Sequence, residues 1–136
     1  MGFSVEKSGL MTTIQDNGRT GYRNIGMPVS GPMDTIAFRL ANLLAGNEES
    51  APALEVTMQG PVLHFTSDTE LVLCGADLKP SINHEQISNN KPLLIKKGMS
   101  FVSGLLQKEC ACILPSRAES KWINSSEAAA PIHQPR

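Results

Sequence analysis

The sequence predicts a mainly β fold with one main α-helix, and three observations carry that reading. Leu54, Val56 and Met58 alternate with Glu55, Thr57 and Gln59, the period-two pattern of a half-buried strand. Short β-branched and apolar runs recur at close spacing with turn residues between them, as in antiparallel sheets and barrels. A single stretch, from about Thr35 to Ala45, carries helical periodicity with a stop signal at each end.

Taken in order, Phe3 to Glu6 reads as a short strand that turns at Ser8-Gly9. Met11 to Gln15 is β-branched at Thr12, Thr13 and Ile14 and reads as a second strand. Asp16-Asn17-Gly18 ends it, because Asn and Gly both accept positive φ. A polar loop of about 18 residues follows, a length that in compact domains usually marks function or disorder. Asp34 is placed to cap the helix, and Gly46 to supply the left-handed residue that stops it. The periodicity puts Ile36, Ala37, Leu40, Ala41, Leu43 and Leu44 on a core-facing side. Thr35, Arg39 and Asn42 fall on the opposite side, which leaves Arg39 and Asn42 for solvent or a site, and Leu40→Ala should cost about 2–5 kcal/mol.

Beyond the helix, Leu54 to Gln59 is broken by Gly60-Pro61. Val62 to Thr66 and Glu70 to Cys74 follow as strands around the turn Ser67-Asp68. Leu71-Val72-Leu73-Cys74 is apolar throughout, as in a strand covered on both faces. A short strand is expected near Ile82 to Ile87, then a turn at Asn89-Asn90. Pro92 to Lys96 and Met99 to Ser103 form a last pair joined by Lys97-Gly98. After Lys108 the periodicity fails, so the remainder is expected not to pack.

With 136 residues, the chain has room for one domain or part of one. Its net charge of −1, from 12 basic and 13 acidic residues, gives no reason to expect nucleic acid or an anionic membrane as partner. No apolar run approaches the ~20 residues that span a bilayer, and M-G-F-S-V-E-K lacks the regions of a signal peptide. Three cysteines, Cys74, Cys110 and Cys112, argue against a disulfide framework. The expected setting is therefore the cytoplasm.

The candidate chemistry gathers in the polar loop. Gly18, Gly21, Gly26 and Gly31 punctuate it beside Gln15, Asp16, Arg19, Tyr22 and Arg23. These glycines either serve loop geometry or let backbone N–H groups cradle an anion. Asp16 beside Arg19 is either a structural ion pair or a functional couple. Asp34 reads as a helix cap, while Glu55 is either solvated or facing a cleft. No metal site is apparent: His64, His84 and His133 are isolated, and Cys110-x-Cys112 lacks further ligands. Neither nucleotide-binding glycine motif is present.

Five stretches, in this order, resemble one family: G-L-M-T-T-I-Q-D-N-G-R-T-G-Y from Gly9, G-M-P-V-S-G-P-M-D from Gly26, A-N-L-L-A-G-N from Ala41, L-E-V-T-M-Q-G-P from Leu54 and L-C-G-A-D from Leu73. The family is the biotin-dependent carboxyltransferase A/B domain. It includes the 5-oxoprolinase C subunit, the antagonist of the KipI sporulation kinase inhibitor, allophanate hydrolase subunit 2 and the carboxyltransferase part of urea carboxylase. The resemblance covers residues 3 to about 108.

The resemblance implies the N-terminal part of a cyclophilin-like β-barrel. It implies a KipI-like B subunit as partner, with an A subunit in some complexes. The implied activity is opening of 5-oxoproline to glutamate with ATP as co-substrate. The other branches imply antagonism of a kinase inhibitor, or carboxyl transfer from carboxybiotin to urea, the one case that calls for biotin. Matched to the family's motifs, the candidate catalytic residues are Gln15, Asp16 and Arg19. The candidate substrate-binding residues are Gly18, Ser30, Gly31, Asp34, Asn42, Glu55 and Asp77, with Met33 in the same motif. After Lys108 the resemblance stops. Codons compatible with Glu109 to Ile132, read one base earlier after one G is restored, spell a family-like continuation. Residues 109–136 are therefore expected to be a non-family tail produced by a frameshift, leaving an inactive product with exposed strand edges.

Overall fold

The computed structural model describes residues 2–18, 21, 23–26 and 30–115, with the backbone alone for 23 and 105–115. Its elements run β1 (Phe3–Lys7), β2 (Met11–Gln15), α1 (Thr35–Leu44), β3 (Ala53–Gln59), β4 (Val62–Phe65), β5 (Thr69–Gly75), β6 (Ser81–Ile82), β7 (Glu85–Gln86), β8 (Pro92–Ile95), β9 (Ser100–Val102) and β10 (Leu105–Pro115). A 3-10 turn lies at Arg23–Ile25. Among the described residues the chain thus adopts the mainly β architecture with one α-helix.

The strands form two five-stranded sheets, one ordered β1-β4-β9-β6-β7 and the other β2-β3-β10-β5-β8. Between them lies a core of Leu54, Val56, Leu63, Phe65, Leu71, Leu73, Leu78, Ile95 and Phe101. The second sheet carries α1 on its outer face, packed through Ala37, Phe38, Ala41, Ala45, Ala53, Val72 and Cys74. Alternation explains the division. Leu71 and Leu73 enter the core between the sheets, while Val72 and Cys74 meet the helix. The strand expected to be covered on both faces is covered on both.

The last pair expected, 92–96 with 99–103, does not form: β8 pairs with β5, whereas β9 pairs with β4 and β6 in the other sheet. Four further expectations need correction. First, α1 buries Ala37, Phe38, Ala41 and Asn42, whereas Ile36 is 79%, Leu43 58% and Leu40 39% exposed. The sheet takes the small-residue side because alanines let the helix backbone come close, with Phe38 filling the gap. Leu40→Ala should therefore cost well under the value for a core leucine, about 1 kcal/mol or less, read from the urea midpoint. Second, Asn42 is not free for solvent. It is fully buried and its Nδ2 donates to the carbonyls of Glu49 and Ala51, at 3.1 and 3.0 Å. Third, the strand expected near Ile82 to Ile87 is a hairpin, β6–β7. Asn83 and His84 form its two-residue turn at φ 49° and 71°, the left-handed pair that a tight hairpin demands.

The fourth correction concerns the chain beyond Lys108. Residues 109–115 belong to β10, which lies antiparallel between β3 and β5, with Cys112 opposite both Glu55 and Cys74. Two unsatisfied strand edges flank that position, and any extended segment entering it gains a hydrogen-bond ladder on each side. Residues 116–136, and Trp122 with them, lie outside the described residues.

Candidate functional site

The site forms where the helix begins, on the outer face of the second sheet. Register sets its floor: Thr13 of β2 lies opposite Glu55 of β3, so both project to the same side. That is the side of Ala53 and Cys74, which pack on α1. Gln15 reaches back along β2, its Nε2 donating to Thr13 Oγ1 at 3.0 Å. Glu55 is buried, 6% exposed, and its Oε1 accepts from the backbone N–H of Met33 at 2.7 Å. The even choice between a solvated and a cleft-facing Glu55 is settled against solvent, because the segment that leads into the helix closes over it through Met33.

Two loop segments close over this floor. Asp16 Oδ1 accepts from Gly18 N at 2.8 Å, a turn that mimics a backbone turn. Gly18, at φ 74°, lies so close to Ser30 that any Cβ there would overlap the Ser30 carbonyl oxygen. Gly31 packs back on the same turn: a Cβ there would lie 3.5 Å from the Asn17 carbonyl oxygen and from Gly18 N. The chain then passes Met33 and enters α1 through Asp34, whose Oδ1 accepts from Ala37 N at 2.9 Å. The capping role expected of Asp34 is the one it performs. Asp34→Ala should cost about 0.5–2 kcal/mol by denaturant titration, with a loss of helix signal in far-UV circular dichroism.

Gln15, Asp16, Gly18, Ser30, Gly31, Asp34 and Glu55 are thus brought together. Arg19 and Tyr22 lie outside the described residues. Asn42 sits eight residues further along α1, about 12 Å by helical rise, where it holds the loop after the helix. Asp77 lies apart, beyond the end of β5, with Oδ1 accepting from Lys79 N at 2.8 Å. It lines an open cleft of about 660 Å³ with Gly75, Gln86, Ser88, Asn89 and Asn90. Asn89 Nδ2 donates to Ala76 O at 3.0 Å and fixes that wall.

Sequence reasoning missed Thr13 and Cys74. The signal for Thr13 was its place two residues before Gln15 in a strand. For Cys74 there was none, since a cysteine in an apolar run reads as core. Burial first, and then the Asp34 carboxylate, push the Cys74 thiol above its ordinary pKa, so it stays protonated and is a poor nucleophile. His64 pairs with Ser100 Oγ at 3.2 Å. Among the described residues no three His, Cys, Asp or Glu side chains form a metal-binding group, and no helix is long and apolar enough to cross a membrane. What the geometry offers is hydrogen bonding. An amide, a hydroxyl and carboxylates surround a helix N-terminus whose partial positive charge favours anionic groups.

The model of the carboxyltransferase domain, subdomains A and B, matches residues 25–117. The chain belongs to this carboxyltransferase-domain family. It is 41% identical over 116 residues to the urea amidolyase of Lachancea kluyveri, covering 85% of this chain and 6% of that protein. It is 37% identical over 92 residues to the 5-oxoprolinase C subunit of Escherichia coli, covering 68% of this chain and 30% of that protein. The crystal structure of Kluyveromyces lactis urea carboxylase superposes with a TM-score of 0.79 at 40% identity, over 84% of this chain and 10% of that one. The chain therefore spans less than a third of these carboxyltransferase-domain relatives.

Proposed function

We propose that this chain supplies the N-terminal part of a protein like the 5-oxoprolinase C subunit, which with its partner subunits opens the lactam of 5-oxoproline to glutamate, coupled to ATP hydrolysis. The observation that carries this reading is the packing of Gly18 under the Ser30 carbonyl, which joins the two motifs that resemble the family into one polar site beside Glu55 and the helix start. Opening a lactam requires a polarised carbonyl, stabilisation of the developing charge and exclusion of bulk water. In this reading Gln15 donates to or accepts from the substrate amide. Arg19 holds a carboxylate or phosphate through a bidentate contact, and Asp16 orients it. Ser30, Gly31 and Asp34 shape the site from the helix side. The partners are a KipI-like B subunit and an A subunit, and ATP has no motif of its own in this chain.

A second reading, carboxyl transfer from carboxybiotin to urea, is supported by the longer match to the urea amidolyase, 116 residues against 92 for the Escherichia coli oxoprolinase subunit. Both substrates present a small planar N–C=O unit, which the same hydrogen-bonding site suits. The chain, co-purified with B and A subunits, should show ATP hydrolysis that depends on 5-oxoproline. Biotin-dependent carboxylation of urea instead would select the second reading. Binding of the B subunit without either activity would leave only antagonism of a kinase inhibitor. Within an active complex, Arg19→Ala should lower turnover about a hundredfold, the scale for losing one charge-stabilising donor, with the unfolding midpoint unchanged.

A further inference from the structure

We propose that the outward face of α1 is an internal contact of the longer carboxyltransferase domain, covered by an apolar surface from the part of that domain beyond the segment this chain matches. The helix is apolar on two sides. Ala37, Phe38, Ala41 and Ala45 meet the sheet. On the other side Ile36, Leu40 and Leu43 fall within about 60° of one another at 3.6 residues per turn. They remain 79%, 39% and 58% exposed, and Met33, just before the helix, is 79% exposed. Only Thr35 and Arg39 separate the two sides with exposed polar groups. A surface helix keeps one apolar stripe, whereas a helix apolar nearly all round is a buried one. Contiguous exposed apolar side chains of this size mark an interaction surface.

The length of chain in the relatives identifies the occupant. The matched segment is only 30% of the Escherichia coli 5-oxoprolinase C subunit, so most of that polypeptide is available to cover it. The small-residue side is already closed against β5, and the large-residue side is the one left for a second layer. The covering surface is apolar at its centre and carries a hydrogen-bond acceptor or carboxylate at its rim, opposite the exposed Arg39. This inference is independent of the substrate.

The test is a chimera in which the 92 matched residues of the Escherichia coli protein are replaced by the corresponding residues of this chain. A photo-reactive residue is placed at Ile36, at Leu43, or at Thr35 on the polar strip. Positions 36 and 43 should cross-link, within one chain, to residues outside the replaced segment, at least about tenfold more strongly than position 35. Cross-links between two copies, equal yields at all three positions, or none at 36 and 43 would each overturn the proposal. If the chimera is insoluble, this chain is co-expressed with the remaining part of the Escherichia coli polypeptide. Co-purification should then be lost in the Ile36→Lys, Leu43→Lys double variant, whose own melting temperature stays within about 3 °C of the parent. Absence of co-purification with the unsubstituted chain overturns the proposal as well.

Discussion

Phe38→Ala should destabilise the chain by about 3–5 kcal/mol, the usual cost of deleting a buried aromatic side chain. Phe38 is 1% exposed and is the largest side chain by which α1 packs on the sheet, with Leu44 partly buried against the same cluster. Around it stand Ala37, Ala41, Ala45 and Ala53, which are too short to refill the space by changing rotamer. The vacated volume therefore persists as a cavity, and the helix loses its main attachment to Val72 and Cys74. Because α1 carries Asp34 and is tied through Met33 to Glu55, the loss reaches the candidate site as well as the core. Urea titration measures the first effect. Hydrogen exchange across 35–44 measures the second, and protection there should fall towards that of an unattached helix. Leu40→Ala, two residues away on the exposed face, is the internal contrast. Equal costs for the two variants would show that the helix face is assigned wrongly.

Gly18→Ala should cost about 2–5 kcal/mol. Holding a Cβ-bearing residue at φ 74° accounts for about 1–2 kcal/mol. The remainder comes from the overlap with the Ser30 carbonyl, at the usual 1–3 kcal/mol of forced repacking, roughly. The obstacle is backbone, so it yields only if the 16–18 turn and the 30–31 segment separate. Gly46 provides the control. It has nearly the same φ, 69°, and nothing within 4 Å of an added Cβ. Gly46→Ala should therefore show the conformational cost alone, and the difference between the two variants reports the contact between the loops. If the two variants lose the same stability, the loops are not locked together and the proposed site loses its closure. In an assembled complex, Gly18→Ala should also lose turnover while Gly46→Ala retains it.

Much of the candidate site was legible because its residues carry local signals. Asp34 announces a cap by standing before a helical run, and Gly18 follows Asp16-Asn17 in a turn. The contact between Gly18 and Ser30 was not legible, since twelve positions of sequence separate them and no periodicity in that stretch signals how the chain folds back. Asn42 and Asp77 share the resemblance but not the place: one holds the loop after α1 and the other lines a separate cleft. Their sequence neighbourhood contained nothing that distinguishes a shared motif from a shared site.

By itself the sequence determined where strands and helix lie. Alternation at 54–59, the apolar run at 71–74 and the stops at Asp34 and Gly46 are encoded in residues next to one another, and the backbone responds to them locally. The tertiary structure decided which way each element faces. Helix α1 is apolar nearly all round, so its own pattern could not choose between the alanine side and the leucine side. The sheet chose the alanines, because a close-packed layer admits a smooth face more readily than a bulky one. Glu55 was assigned in the same way: its alternation pointed it away from the core between the sheets, and only the arrival of the segment leading into α1 made that second face an interior. Residues 109–115 show the same logic. Their pattern is weak, yet the open edges of β3 and β5 make a strand of them, because a central position in a sheet satisfies backbone groups whatever the side chains are.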